Sequence, residues 1–94
     1  EQVHAEVLGG GEERLLLVDP ASAEEAALAE SLSERIVRRA IRHDGTCTGE
    51  HGVGLHKMRY LEEEHGEAAV AVMRRIKQAL DPLDILNPGK VVQV

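Results

Sequence analysis

Aromatic side chains are almost absent from this 94-residue sequence: Tyr60 is the single aromatic residue, and there is neither Trp nor Phe. Large aromatic side chains bury about 150–250 Å² each, so a core without them must be built from aliphatic residues. A chain of this length buries only roughly 60–65% of its unfolded surface, which excludes a second core. The sequence therefore predicts one domain over residues 1–94 with a thin core, as in a fragment that packs against the rest of a longer protein.

Cysteine, excess positive charge and long apolar runs are also scarce. Cys47 is the only cysteine, which excludes a disulfide within the chain and a cysteine zinc site. Seventeen acidic residues against eleven basic ones give a net charge of -6, which repels nucleic-acid phosphates. No apolar run reaches the roughly 20 residues of a membrane span, and residues 1 onward show no basic region followed by a hydrophobic stretch. These absences predict a cytoplasmic protein without a nucleic-acid partner or a membrane span.

Short aliphatic segments predict a small sheet. Weak alternation over Val3–Leu8 and an aliphatic run at Arg14–Val18 flank Gly9-Gly10-Gly11, a pattern typical of a β-hairpin. Thr46-Cys47-Thr48 has β preference and predicts a third strand.

Two amphipathic helices are predicted beside these strands. Ser22 and Glu25 form a capping box at the start of the first helix, and Gly45 can take the left-handed conformation that closes it. Its apolar stripe has four-residue spacing, Leu28, Leu32, Ile36 and Ala40, and is widened by Val37 and Ile41. A short helix over 58–64 precedes the second long helix, residues 67–80, which Asp81-Pro82 ends. The sequence predicts an α+β fold in which two main helices cover a short antiparallel sheet.

The segment Gly45–Lys57, GTCTGEHGVGLHK, carries the densest glycine cluster and a Glu50-His51 pair. Glycines allow close approach of a ligand to the backbone, while the carboxylate and imidazole offer an acceptor, a proton carrier or metal ligands. A surface turn with solvated Glu50 and His51 is the alternative interpretation. A metal hydrolase that uses Glu50, His51 and His56 is a further hypothesis, although it would crowd all its ligands into one loop.

Four segments in fixed order resemble one known family: GTCTGEHGVG, KMRYLEEEHG, IKQALDP and ILNPGK. They are similar to the C-terminal end of FAD-linked oxidases, which include D-lactate dehydrogenases, glycolate oxidase flavoprotein subunits and D-2-hydroxyglutarate dehydrogenases. The resemblance runs from about Leu15 to Val92. It implies that this chain is the C-terminal portion of a ferredoxin-like substrate domain, which closes over FAD bound mainly by a separate N-terminal domain.

The resemblance also implies roles for individual residues. His51 matches the base that takes the hydroxyl proton of a small 2-hydroxy acid while hydride passes to the flavin, and Glu50 matches a catalytic carboxylate beside it. Gly49 and Gly52 would lie against the cofactor. Asn87 and Lys90 belong to the terminal Asn-Pro-Gly-Lys signature, which would pack near the flavin.

The resemblance also bears on a divalent metal. Metal-dependent members of the family bind it through a carboxylate that matches Glu50 and through two upstream histidines. Those histidines would fall at about Val7 and Arg14, and neither residue binds a borderline cation. We therefore predict no specific divalent metal at Glu50 and His51.

Two functional classes remain from the sequence. The first is the substrate domain of an FAD-dependent 2-hydroxy acid dehydrogenase, in which the isolated chain neither binds FAD nor oxidises substrate. The second is a noncatalytic α+β interaction module derived from the same scaffold. In either case, uncovered strand edges and apolar stripes predict that the isolated chain self-associates, by extending its sheet or by burying the Gly45–Lys57 face.

Overall fold

The computed structural model describes the backbone of residues 2–7 and 12–94, and side chains from residue 17 onward. It divides into two compact units, Glu1–Glu50 and His51–Val94. The expected glycine turn at residues 9–11 lies outside the described residues, as do the side chains of Val7 and Arg14.

The first unit begins with one β-ribbon. Strand β1 (Gln2–Val7) pairs antiparallel with β2 (Glu12–Leu17), in a register that sets Gln2 opposite Leu17 and Val7 opposite Glu12. The long helix α1 (Ala23–Arg42) follows and packs against β1.

The start of α1 is fixed by side chains at Ser22 and Glu25. The Ser22 Oγ accepts the amide of Glu25 at 3.2 Å, as the capping box predicts. The Glu25 carboxylate accepts the amide of Asp19 at 2.7 Å instead of the Ser22 amide, which donates to the Asp19 carbonyl. The cap therefore also fixes the chain that enters the helix.

The end of α1 differs from the sequence prediction by one residue. The left-handed residue is Asp44, with a φ of 60°, one position before Gly45. The Gly45 amide donates to the Ala40 carbonyl at 2.8 Å and the Asp44 amide donates to that of Ile41 at 3.1 Å. These two bonds form a Schellman motif. The motif is closed by the Gly45 amide and requires the left-handed conformation at the preceding residue, Asp44.

The second unit contains three helical segments. A 3-10 turn (Met58–Tyr60) runs into the short helix α2 (Leu61–His65), which stops at Gly66 (φ 86°), and α3 (Glu67–Leu80) follows. Its core is formed by Leu61, Val70 and Val92 with Val53 and Met73 against them. The tail after α3 therefore contributes Val92 to the core.

The predicted α+β fold, in which two helices cover a short antiparallel sheet as part of a ferredoxin-like domain, is wrong. Helices dominate the described chain, and its strand pairing is the β1–β2 ribbon alone. Thr46-Cys47-Thr48 is irregular, because glycines on both sides leave three residues, too few for a stable strand. The second amphipathic helix, α3, belongs to the unit 51–94, whose residues form no strand.

Candidate functional site

The centre of the glycine-rich segment, residues 49–52, is exposed. Glu50 is the last residue of the first unit and His51 the first of the second, and both side chains are exposed, as is Gly49. Gly52 and Gly54 have φ values of 81° and 53°, a region that side chains rarely adopt. A side chain built at either glycine would meet none of the described atoms within 4 Å, so this face of the loop is open to a ligand.

The loop ends in a tight turn before the helices. The Lys57 amide donates to the Val53 carbonyl at 3.2 Å, and the Tyr60 amide donates to the Lys57 carbonyl at 3.1 Å. Tyr60 is buried, and the guanidinium carbon of Arg59 lies 4.9 Å from the centre of its ring. This cation–π contact and the burial of Tyr60 anchor the C-terminal end of the loop.

The chain after α3 is held by the side chains of Lys77 and Asp81. The Asp81 carboxylate, only 5% exposed, accepts the amides of Ile85 at 3.1 Å and Leu86 at 2.9 Å. The Lys77 ammonium pairs with Asp81, donates to the Leu86 carbonyl at 2.6 Å and lies 3.4 Å from Asp84. These contacts fix the turn 81–86.

The same contacts shift both ionisations. Hydrogen bonding to Lys77 is the largest cause that lowers the pKa of Asp81, and the amides of Leu86 and Ile85 lower it further. The hydrogen bond to Asp81 raises the pKa of Lys77, and Asp84 adds to this. Burial of each side chain opposes the shift of its pKa. Both groups therefore stay charged because of their hydrogen bonds and ion pairs.

The Asn-Pro-Gly-Lys signature follows this turn. Asn87 and Gly89 have φ values of 46° and 72°, and Lys90, which is half-buried, donates to the Pro88 carbonyl at 3.4 Å. The Val91 amide then donates to the Gly54 carbonyl at 2.7 Å. The structure therefore joins the tail that contains Asn87 and Lys90 to the glycine-rich segment at Gly54.

A groove of about 470 Å³ lies in the second unit. Its polar lining includes His56, Arg59, Glu62 and Arg74, and the tail closes one side. Arg74 donates to the Gln93 carbonyl at 3.1 Å and to the Glu62 carboxylate at 3.3 Å, which ties α3 to both the tail and α2.

Sequence reasoning missed several of these residues. The i,i+4 spacing of Lys77 and Asp81 was a readable signal of an ion pair, but no local pattern revealed that Lys77 reaches Leu86. Arg74 and Val91 had no signal, since their partners lie 19 and 37 positions away in the sequence.

Metal ligation gains no support from the described side chains, which contain no group of three or more His, Cys, Asp or Glu residues able to hold a metal ion. Glu50 alone is not a site, and the upstream side chains are not described. The predicted absence of a metal stays a prediction. Among the helices described here, none has the length and apolar character needed to cross a bilayer.

Comparison with known proteins gives a family over most of the chain. The sequence profile described as "FAD linked oxidases, C-terminal domain" matches residues 9–91. The D-lactate dehydrogenase (cytochrome), mitochondrial, of Arabidopsis thaliana is 53% identical over 77 residues, which is 82% of this chain and 14% of that protein. The probable D-lactate dehydrogenase, mitochondrial, of Danio rerio is 48% identical over 80 residues, 85% of this chain and 16% of that protein.

A bacterial relative is also similar. The glycolate oxidase subunit GlcD of Bacillus subtilis is 43% identical over 68 residues, 72% of this chain and 14% of that protein. The chain thus spans only about one-seventh of the length of these curated relatives. The expected cytoplasmic location is wrong, because the plant and fish relatives are named mitochondrial, and the absence of a recognisable signal in this sequence carried no information on compartment.

Proposed function

The chain belongs to the FAD-linked oxidases as their C-terminal domain, and from this premise we propose that it is the substrate-side domain of an FAD-dependent 2-hydroxy acid dehydrogenase. Its substrate is a small 2-hydroxy acid of the D-lactate or glycolate type. One observation carries the proposal: the matched residues include both the open loop at His51 and the tail hydrogen-bonded to it through Gly54.

The reaction needs a base on this side of the substrate. Oxidation of a 2-hydroxy acid to the 2-oxo acid removes a hydride from the carbon and a proton from the hydroxyl group. FAD, when bound, supplies the hydride acceptor. His51 accepts the hydroxyl proton, since imidazole is the commonest general base and its exposed position lets a substrate reach it.

Other residues of the loop and tail take supporting roles in this proposal. Glu50 is a catalytic carboxylate that contacts the substrate. Gly49 and Gly52 would lie against the cofactor, and at Gly52 there is room for it, since a side chain built there would meet none of the described atoms within 4 Å. Asn87 and Lys90 would contact FAD from the tail. Support comes from the left-handed φ of Asn87 and from the hydrogen bond that draws this tail to the loop.

The first prediction tests the role of His51. The protein is expressed from the full reading frame that encodes this chain, and its FAD content and oxidation of D-lactate and glycolate are measured with an artificial electron acceptor. His51→Asn is expected to retain FAD but to lower kcat by about 10²- to 10⁴-fold, the usual contribution of a general base. His65→Asn, at an exposed position on the end of α2, is the matched control and is expected to leave kcat unchanged.

Two results contradict the proposal in different ways. If the purified protein contains FAD and His51→Asn keeps its activity, His51 is not the base. If the protein contains no FAD and oxidises neither substrate, the chain is the noncatalytic interaction module instead.

A further inference from the structure

The Asn87–Lys90 segment is held at both of its ends. On the N-terminal side, the Leu86 carbonyl accepts the Lys77 ammonium at 2.6 Å, and the Leu86 amide donates to Asp81 at 2.9 Å. On the C-terminal side, the Val91 amide donates to the Gly54 carbonyl at 2.7 Å. The segment is therefore tied to α3 at one end and to the glycine-rich loop at the other.

The C-terminal tie contains an unusual backbone conformation at Val91. Its φ is 64°, and the Val92 amide donates to the Lys90 carbonyl at 2.7 Å, which closes a three-residue turn around Val91. A γ-turn with positive φ is rare and strained, and for a β-branched residue a left-handed φ is an outlier. Strain of this kind persists only where the surroundings impose it, and it concentrates at functional sites.

The neighbours of Val91 show what imposes the strain. Val92 is buried with Leu61 and Val70, and the Val91 amide is bound to Gly54, whereas the Val91 side chain is 43% exposed. Packing of the Val91 side chain does not explain the conformation. The strained turn instead places the chain so that it meets both the core and the loop.

At the N-terminal side of the segment, Lys77 makes a contact that closing the turn after α3 does not require. Asp81 alone satisfies the amides of Ile85 and Leu86, which would suffice to close the turn after α3. Lys77, only 17% exposed, extends past Asp81 to the Leu86 carbonyl, the last backbone acceptor before Asn87. Its position thus determines where the signature segment begins.

We propose that Lys77 and Val91 are positioning residues, which hold Asn87–Lys90 beside the His51 loop in the geometry that hydride transfer requires. This inference rests on the function proposed above and adds two residues that contact neither substrate nor cofactor. Reacting groups must be held near their attack geometry, and a displacement of about 1 Å can lower a rate by roughly 10²-fold.

The second prediction tests Lys77 in the FAD-loaded enzyme by single-turnover reduction of the flavin at saturating substrate. Lys77→Met is expected to lower the reduction rate by about 10-fold or more while FAD content and KM change little. Lys77→Arg, which keeps a cation that can reach Leu86, is expected to restore most of the rate. Arg75→Met removes an exposed positive charge from the same helix and is expected to have no effect.

A second variant separates positioning from stability. Val91→Gly permits the positive φ without strain, so the thermal midpoint should not fall, yet the freer turn should slow flavin reduction. Val91→Ala, which shortens the side chain but retains the left-handed penalty, should reduce the flavin faster than Val91→Gly. A purely structural role predicts that rate and stability fall together.

The proposal is overturned if Lys77→Met and Val91→Gly both reduce flavin within about two-fold of the unaltered enzyme. If Lys77→Met does not fold, Lys77→Arg and Val91→Gly decide the question. Failure of the underlying function is distinguishable, since the unaltered enzyme would then lack FAD or His51→Asn would keep its rate.

Discussion

In the described part of the chain, left-handed backbone at four residues other than glycine marks turns: Asp44, Asp84, Asn87 and Val91. Three of the four are Asp or Asn, whose short polar side chains tolerate this conformation. The turn at Asn87-Pro88-Gly89 could therefore be predicted from residue types. Valine gives no such signal at position 91, because its conformation is imposed by Gly54 and by the core around Val92.

The Lys77–Asp81 pair carries the third prediction, which concerns pH. Asp81 has its pKa lowered from 3.8, so its contribution to stability is present above pH 3.8 and is lost as pH falls through the lower folded value. Lys77 has its pKa raised from 10.5, so its contribution is present below that pH and is lost as pH rises through the higher folded value. The pair should therefore stabilise the fold uniformly between about pH 5 and 9.

Denaturant unfolding of the chain and of Asp81→Asn checks this window. The variant should be less stable by a constant free energy between about pH 5 and 9, and the difference should shrink below pH 3.8. Glu67→Gln, an exposed carboxylate in the first turn of α3, is the control for a general loss of negative charge. A difference that stays constant down to about pH 2 would contradict the lowered pKa of Asp81.

At the scale of elements, α1 shows which part of a helix can be predicted locally. Its bounds follow from the Ser22 cap and the polar stop after Arg42, and the structure places the helix at Ala23–Arg42. The predicted stripe is confirmed at Ala40 and at Val37, which are buried, and is wrong at Leu28, which is 65% exposed, and at Leu32, which is also exposed. The third buried residue of the helix is Ala29, which the stripe did not include.

Helix geometry explains the difference. A helix turns 100° per residue, so strict four-residue steps from Leu28 to Ala40 drift by about 120° around the axis, and these two residues cannot share one narrow face. At 100° per residue, Ala29 and Ala40 lie within about 20° of each other around the helix axis. The local pattern identifies the helix, whereas its buried face depends on the elements that pack against it, of which β1 is one.

The cap of α1 carries the fourth prediction. Asp44 occupies the left-handed position that glycine favours, so Asp44→Gly should stabilise the chain by about 0.5–1 kcal/mol, since the steric penalty disappears. The shift of the thermal midpoint measures this effect. Glu30→Gly, at an exposed position inside the helix, is the matched control and should destabilise by about 1 kcal/mol. Destabilisation by Asp44→Gly would show that the left-handed residue is not at position 44.

At the scale of the whole molecule, the sequence motifs predicted the family, and the apolar pattern predicted the helix α3. The division into two units was not predicted. The structure has two compact units that meet in sequence between Glu50 and His51, within the motif that carries the proposed chemistry. A local pattern cannot reveal this division, because it depends on which distant segments pack together. The tail joins the second unit through Val91 and Val92, a contact that only the folded chain establishes.

Uncovered aliphatic side chains in the second unit carry the fifth prediction. At the end of α3 and in the following turn, four side chains are between 63% and 78% exposed: Leu80, Leu83, Ile85 and Leu86. Full burial of each such residue contributes about 1.5–3 kcal/mol, and clustered apolar surface of this kind marks an interface. We therefore expect the isolated chain to self-associate through this surface, to a mass above 10.2 kDa by light scattering at micromolar concentration.

Net charge opposes this association, whereas exposed aliphatic side chains favour it. Varying the salt concentration changes the first effect by screening the charge repulsion. Copies that each carry a net charge of -6 repel one another, and salt screens that repulsion over a Debye length of roughly 10 Å at 0.1 M. The measured mass should therefore rise with ionic strength. Leu83→Lys should shift the chain towards monomer, whereas Gln78→Lys, which makes the same charge change at an exposed polar position of α3, should have a smaller effect. A strictly monomeric chain at high salt, or equal effects of the two lysines, would show that these aliphatic side chains do not form the contact.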